Sequence, residues 1–209
     1  MTTDEQLVAL RASNTRIGEA LARDVAKAWS LLDLSDRDGV RADVLAVSPV
    51  LVDQYGAMSA TVSAEFFEDA VGAAPVLGDG LNVEQVVASA RWAIGPLWED
   101  NPDTALSQLT GSLVRLVLRF GRETIHNSAV AARGVTYARV PGDLCPFCVE
   151  LASRGPVFGA DYRGDDAMHF HDGCTCELVP TRSLEDLPPS YDVPALRGLL
   201  AEYRANGRI

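Results

Sequence analysis

The chain has 209 residues, of which 47% are hydrophobic and 22% charged, and its formal net charge is −11. This length and apolar content suffice for a hydrophobic core in one or two domains. The acidic balance argues against a protein whose whole surface binds nucleic acid, but it leaves room for a local basic patch. No apolar run reaches the roughly 20 residues of a membrane span, and the first residues lack a secretory signal. We therefore expect no membrane partner.

Apolar residues spaced three or four apart predict helices over most of the chain before Gly134. Four segments have this spacing: 5–30, about 41–71, 82–94 and 101–133. Asp4 is a plausible N-cap of the first helix, and the Asp-rich stretch 32–40 breaks it. Pro49 is expected to kink or begin the second helix, because proline lacks the backbone donor. Asn82 is the predicted cap of the third.

The fourth predicted helix carries an apolar stripe and an arginine stripe. The apolar residues are Leu106, Leu109, Leu113, Leu116, Val117 and Phe120. At about 100° per residue, Arg115, Arg119 and Arg122 fall on the opposite face. This face is interpreted either as a solvated outer surface or as a stripe that contacts DNA phosphates or an acidic partner. Arg139, beyond the helix, is a further candidate for such contacts.

The helical period stops after Gly134, and short strands follow. Strands are predicted at 135–140, 157–158 and 177–179, a helical turn at 148–153 and a last helix at 194–205. We therefore predict an α+β fold that is mainly α. Its three regions are a helical, partner-binding part (1–134), a cysteine-containing module (135–181) and a tail with a short helix (182–209).

All four cysteines lie between residues 145 and 176. Cys145 and Cys148 form a C-x-x-C pair, whose spacing lets both thiolates point at one metal ion. Cysteines of a reducing cytosol bind metal more often than they form disulfides. We therefore predict a zinc site, because Zn²⁺ takes thiolate or imidazole ligands at four tetrahedral corners.

The second half of the predicted site follows a loop and has more candidates than positions. They are His171, Cys174 and Cys176, with His169 as one more. If Cys174 and Cys176 share one face of a strand, all four cysteines can bind. The alternative set replaces one of these two late cysteines with His171. We slightly favour a set that includes His171, and the sequence leaves both open.

The expected role of the zinc is structural. A closed set of thiols and one imidazole leaves no position for water or substrate. The module is poor in large apolar residues and rich in Gly and Asp, so that metal binding would supply its folding free energy.

Three catalytic interpretations compete with structural zinc. A thiol oxidoreductase would need Cys145 near a helix N-terminus, with a lowered pKa, in a βαβ setting. A zinc deaminase would need H-x-E and P-C-x-x-C, but Asn127 and Ser128 follow His126, and Leu144 precedes Cys145. A metal-dependent nuclease could use a histidine of the cluster to activate water, but no matching Asn/His set is visible. His126 itself is predicted to be packed or capped.

One further observation concerns the order of short motifs around the cysteines. They are Tyr137-Ala-Arg139, Cys145-Pro-Phe-Cys148, Ala152-Ser-Arg154-Gly155 and Phe170-His171-Asp-Gly-Cys174-Thr-Cys176, followed by Pro180. This set resembles the signature of the phage Mu F-like minor head proteins, also called phage head morphogenesis proteins, in the form found in actinobacterial phages and prophages. The close match covers about residues 133–181, and the helical part fits only in outline.

The resemblance implies a structural, non-enzymatic component of the virion that lies inside the head near the portal. The implied partners are the portal protein, capsid or scaffold proteins and the packaged DNA, with self-association through the helices as a further expectation. Such a protein would occupy the host cytoplasm during assembly and would assist head assembly, DNA packaging or ejection. The alternatives are a metal-dependent nuclease or thiol oxidoreductase at Cys145 and Cys148, or a DNA-binding module.

Overall fold

The structure is a computed structural model that describes residues 2–164 and 166–208. Its helices are α1 (Asp4–Trp29), α2 (Arg37–Val71), α3 (Val83–Ala93), α4 (Pro102–Ala131), α5 (Pro146–Ala152) and α6 (Val193–Ala205). Its strands are β1 (Thr136–Val140), β2 (Phe158–Gly159) and β3 (Glu177–Thr181), and short 3-10 turns occupy Gly95–Glu99 and Leu184–Asp186. The predicted class, α+β and mainly α with a small sheet near the cysteines, is confirmed.

Side-chain caps determine where the first two helices begin. Thr3, and not the predicted Asp4, is the N-cap of α1, because its hydroxyl accepts a hydrogen bond from the Gln6 backbone while Gln6 caps Thr3 in return. The Asp36 carboxylate accepts a hydrogen bond from Gly39 N at 3.0 Å, and α2 therefore begins at Arg37. The predicted break at 32–40 is shorter than expected, because α2 already begins at Arg37. Pro49 lies inside this helix and is not its first residue.

Asparagines cap the next two helices, and the cap of the third agrees with the prediction. Asn82 caps α3 through Gln85 N, and Asn101 caps α4 through Thr104 N. The first hydrophobic core lies between these helices, the first half of α2 and the second half of α1. Its buried residues include Leu21, Val25, Val44, Val52, Val86, Ala90, Leu109, Leu113 and Val117. The predicted apolar stripe of α4 therefore faces this core. None of the described helices combines the length and the apolar character needed to cross a membrane.

The sheet is antiparallel, with β1 between β2 and β3. Tyr137 pairs with Phe158 of β2, and Arg139 pairs with Leu178 of β3. Gly134, with φ of +69°, lies in the turn between α4 and β1, a conformation that glycine adopts without strain. The three predicted strand segments are thus confirmed.

A second core joins this sheet to both ends of the chain. One buried cluster contains residues of the sheet, of α6 and of three helices of the first region. From the sheet and α6 come Tyr137, Val140, Phe158, Leu178, Leu196 and Leu200; from α1, α2 and α4 come Leu7, Leu10, Phe66, Phe67, Ile125 and Ala129. The apolar residues of segment 135–181 therefore pack against helices of the first region and of the tail. The cysteine cluster lies beside this shared core.

Candidate metal centre

The first half of the cluster is fixed by the start of α5. Cys145 is the N-cap residue of this helix, and Pro146 occupies its first position, where the missing N–H costs nothing. The backbone N–H of Cys148 donates to Cys145 Sγ at 3.3 Å. The helix start therefore holds the two thiols on one side, which is the geometry expected of a C-x-x-C knuckle.

The second half comes from the turn before β3. His171 O accepts a hydrogen bond from Cys174 N at 3.1 Å, which folds the turn back on itself. His171 Nδ1 lies 2.8 Å from Asp172 O, and this contact raises the pKa of the imidazole. Nδ1 is thereby engaged, and Nε2 faces the thiols. A carbonyl group that binds one ring nitrogen in this way orients the other nitrogen toward a metal ion.

The five predicted donors lie together. Cys145 Sγ is 3.2 Å from His171 Nε2, Cys148 Sγ is 3.4 Å from the same nitrogen, and Cys148 Sγ is 3.6 Å from Cys174 Sγ. Two triads form, Cys145–Cys148–His171 and Cys148–Cys174–Cys176, with all donor atoms of each within 4.8 Å of one another. Cys148 belongs to both. His169, the further candidate, is in neither triad.

The donor spacing and chemistry fit a tetrahedral metal ion. Zn–S bonds of about 2.3 Å and Zn–N bonds of about 2.0 Å place neighbouring donors roughly 3.5–3.8 Å apart. The three donor distances given above, 3.2, 3.4 and 3.6 Å, are close to this range. All four cysteines are free thiols. Three of them are buried, whereas Cys145 is partly exposed and His171 is exposed. The two triads meet at Cys148, and a tetrahedral centre takes four of the five donors.

The thiols do not ionise independently. The hydrogen bond with Cys174 raises the pKa of Cys148, and the matching bond lowers the pKa of Cys174. The hydrogen bond with Cys148 favours the Cys176 thiolate, but the bond with Cys174 and burial oppose it and raise the pKa of Cys176 to about 11. Cys148 and Cys176, whose pKa values are raised, therefore keep their protons until a metal binds. A bound dication would replace them, because a thiol that coordinates a metal ion is deprotonated.

Two buried arginines, which the sequence did not predict as part of this site, hold the Cys/His loop. Arg122 Nη2 donates to Cys174 O at 2.8 Å and to Cys176 O at 3.2 Å. Arg139 Nη1 donates to His169 O at 2.7 Å, and its Nη2 lies 4.0 Å from Cys174 Sγ. Both guanidinium groups stack on the Phe170 ring, at 3.9 and 4.0 Å from its centroid. They place two positive charges beside the thiols.

This arrangement corrects the interpretation of the arginine stripe. Arg122 is 4% exposed and Arg139 is 0% exposed, so neither lies on a solvated face or is accessible to DNA in this conformation. The three arginines do lie on the side of α4 opposite the apolar stripe, but the Cys/His loop covers this side at Arg122. Arg115 and Arg119 stay partly exposed and form ion pairs with Asp172 and Glu123. Contact of these two with DNA or a partner stays a prediction.

A second polar link, also missed from the sequence, joins α1 to β3. Asn14 Nδ2 donates to both carboxylate oxygens of Glu177 at 3.1 Å. Burial raises the pKa of Glu177, while the charge of Arg122 and the bond from Asn14 oppose this shift. Because Glu177 follows Cys176 directly, the first helix is connected to the last cysteine of the cluster. Asn14 gave no signal in the sequence, since its partner is 163 residues away.

The structure meets one requirement of a thiol oxidoreductase. Cys145 is at a helix N-terminus, and although burial opposes ionisation, hydrogen bonds with Cys148 and His171 lower its pKa. The sheet, however, is antiparallel and not part of a βαβ unit, and Cys148 contacts His171 and Cys174 as well. His126 is half-buried against Tyr137, its Nδ1 2.9 Å from the hydroxyl oxygen, and burial lowers its pKa. It is a packed side chain, as predicted.

Fold and cluster together define a mainly helical protein with a candidate Cys/His metal centre. The chain belongs to the VG15 protein family, whose model matches residues 1–203. This is a family of phage or viral proteins. Comparison with curated proteins and with solved structures gave no significant match.

Proposed function

We propose that this protein is a minor capsid protein of a tailed phage or prophage, of the head morphogenesis type, with a structural zinc ion. It acts inside the procapsid next to the portal, without catalysis, and assists head assembly or the passage of DNA. The observation that carries the proposal is the Cys/His cluster in a VG15 chain, because its donors converge where the sheet meets the long helices. The motifs around the cysteines support the Mu F-like assignment.

The donor set favours zinc as the metal. Thiolate and imidazole ligands select zinc over the hard cations Mg²⁺ and Ca²⁺, which prefer oxygen. Cys148, Cys174 and Cys176 are buried. Arg122 and Arg139 donate hydrogen bonds to backbone carbonyl groups of the Cys/His loop. In this proposal the buried thiolates bind an ion that stabilises the fold, and the side of the centre at Cys145 and His171 is open to solvent.

Exposed apolar side chains on the helical part support a role in binding other proteins. Leu31 is 80% exposed, Trp92 is 65% exposed and Val50 is 63% exposed. Leu31 also borders an apolar groove of about 270 Å³, which is formed by α1, the turn that follows it, α2 and α4. A contiguous apolar groove, rather than single exposed side chains, is typical of interfaces. In this proposal the helical part contacts the portal protein or further copies of the chain.

Coexpression with the portal protein of the same phage or prophage tests the proposal. The tagged chain is expected to copurify with the portal and to be present in purified procapsids. Leu31→Asp should reduce recovery of the portal about tenfold or more, since it places a charge in the apolar interface. Leu184→Asp is the matched control, because Leu184 is 67% exposed but lies in the tail. Procapsids that lack the chain, together with no recovery of the portal, would contradict the proposal.

A further inference from the structure

A cleft of about 710 Å³ opens beside the candidate metal centre. One wall consists of Arg115, Arg119 and Arg122 of α4 and Gln85 of α3. The other wall consists of Phe147 and the loop residues Met168, His169, Phe170 and His171. No aspartate or glutamate lines this cleft among the residues that the structure describes. In a chain with 29 acidic and 18 basic residues, a cleft with three arginines and no acid stands out.

Two of these arginines are held in place by hydrogen bonds that leave some of their N–H donors unused. Arg115 uses Nε to bind Asp172, and Arg119 uses Nε to bind Glu123 and Nη1 to bind Gln85. Neither Nη group of Arg115, nor Nη2 of Arg119, has a partner within the described chain. The two carboxylates therefore orient the guanidinium planes and leave free N–H donors. An oriented guanidinium with free donors is suited to bidentate binding of an oxyanion.

Two further features characterise the bottom and the far side of the cleft. Arg122 Nε is buried without a hydrogen-bond partner, and a buried N–H that lacks an acceptor is costly. Phe147 is 38% exposed, although it is a large aromatic side chain. The cleft thus combines cationic donors on one wall with an accessible aromatic ring on the other.

We propose that this cleft binds a nucleotide, with its phosphate on Arg115 and Arg119 and its base against Phe147. Phosphate matches the paired guanidinium groups, and stacking of a base on an aromatic ring is the usual companion of such contacts in single-strand binding. The volume suits one nucleotide unit, whereas a rigid duplex does not enter a concave site of this size. The ligand is therefore a free nucleotide or one unit of a single strand. This inference holds whether or not the protein belongs to a capsid.

Fluorescence anisotropy with a labelled oligothymidylate tests the inference on the metal-loaded full chain. Binding is expected at low salt and should weaken with salt with a slope of about −0.7 per phosphate contacted. Thymidine monophosphate is the competitor that distinguishes the two ligands. If it competes as effectively as the unlabelled strand, the cleft is a site for a free nucleotide; if it competes much more weakly, the cleft binds a strand. Both outcomes support the proposal. No binding at low salt overturns it. Tighter binding of polyglutamate than of oligothymidylate also overturns it, in favour of an acidic peptide.

Variants locate the binding site. Arg115→Gln and Arg119→Gln should each weaken binding about tenfold or more, and Phe147→Leu should weaken it about fivefold or more through the lost stacking. Arg16→Gln removes the same charge from an exposed position on α1 outside the cleft and should change binding less than twofold. Far-ultraviolet circular dichroism and metal content confirm that each variant is folded. Equal affinities for Arg16→Gln and the two cleft variants would overturn the proposal.

Discussion

At the scale of single residues, the donors of the candidate metal centre could be predicted from the sequence, but the arginines that hold the Cys/His loop could not. Cys145, Cys148 and the His171–Cys176 turn stand out in the sequence because thiol and imidazole groups at chelating spacing are rare. Arg122 and Arg139 gave no such signal. Their partners are backbone carbonyl groups 52 and 30 residues further along the chain, and a helical wheel cannot show which loop covers a polar face.

The buried position of Arg122 leads to a prediction about stability. Arg122→Gln should lower the free energy of unfolding by about 2–4 kcal/mol, because the carbonyl groups of Cys174 and Cys176 lose a charged donor in a buried site. Arg119→Gln, one turn earlier and partly exposed, should cost less than about 1 kcal/mol. Urea denaturation of both variants provides the comparison. Similar losses for the two would show that Arg122 is not a structural part of the centre.

At the scale of elements, periodicity predicted the helices, and side-chain chemistry decided their ends. The 3.6-residue spacing of apolar side chains located α1 to α4 and the α4 stripe. The start of α2 was placed four residues late because Asp36 extends the helix by capping it. The close approach of α2 and α4 could not be predicted, since it depends on small residues from two distant segments meeting at one point.

Gly121 of α4 marks that point. A Cβ atom at this position would lie 2.8 Å from the carbonyl oxygen of Ser59 in α2, closer than real contacts permit. Gly121→Ala should therefore lower the free energy of unfolding by about 1–3 kcal/mol, although alanine is the better helix former.

Gly111→Ala on the same helix is the matched control for this substitution. Its Cβ atom would meet only Asp172 at an ordinary 3.9 Å, so the protein should gain up to about 1 kcal/mol from helix propensity. Thermal or urea denaturation distinguishes the two signs. A stabilising Gly121→Ala would contradict the described packing of α2 on α4.

At the scale of the whole molecule, the two cores refine the expected organisation in three regions. The first core lies within the helices, whereas the second combines the sheet with the ends of α1, α2 and α4 and with α6. The sequence showed that the module is poor in apolar residues, but it could not show that distant residues such as Leu7 and Phe67 complete its core. A division near Gly134 stays a prediction that unfolding experiments can test.

Loss of the metal should affect the two cores differently. In Cys148→Ser, which removes the donor common to both triads, amide hydrogen exchange should accelerate at least tenfold in β1, β3 and the ends of α2 and α4 near Phe66 and Ile125. Exchange around Leu21 and Leu113 in the first core should change little. Uniform acceleration over the chain would show one cooperative unit and no graded boundary.

The most direct test of the central claim is native mass spectrometry of the purified chain combined with thiol titration. The account predicts one zinc ion per chain, with all four thiols unreactive until a chelator removes the metal. Cys148→Ser should abolish zinc binding, and His169→Asn should retain it, because His169 belongs to neither donor triad. A folded, metal-free chain that cycles a disulfide between Cys145 and Cys148 would contradict the account and favour a thiol oxidoreductase.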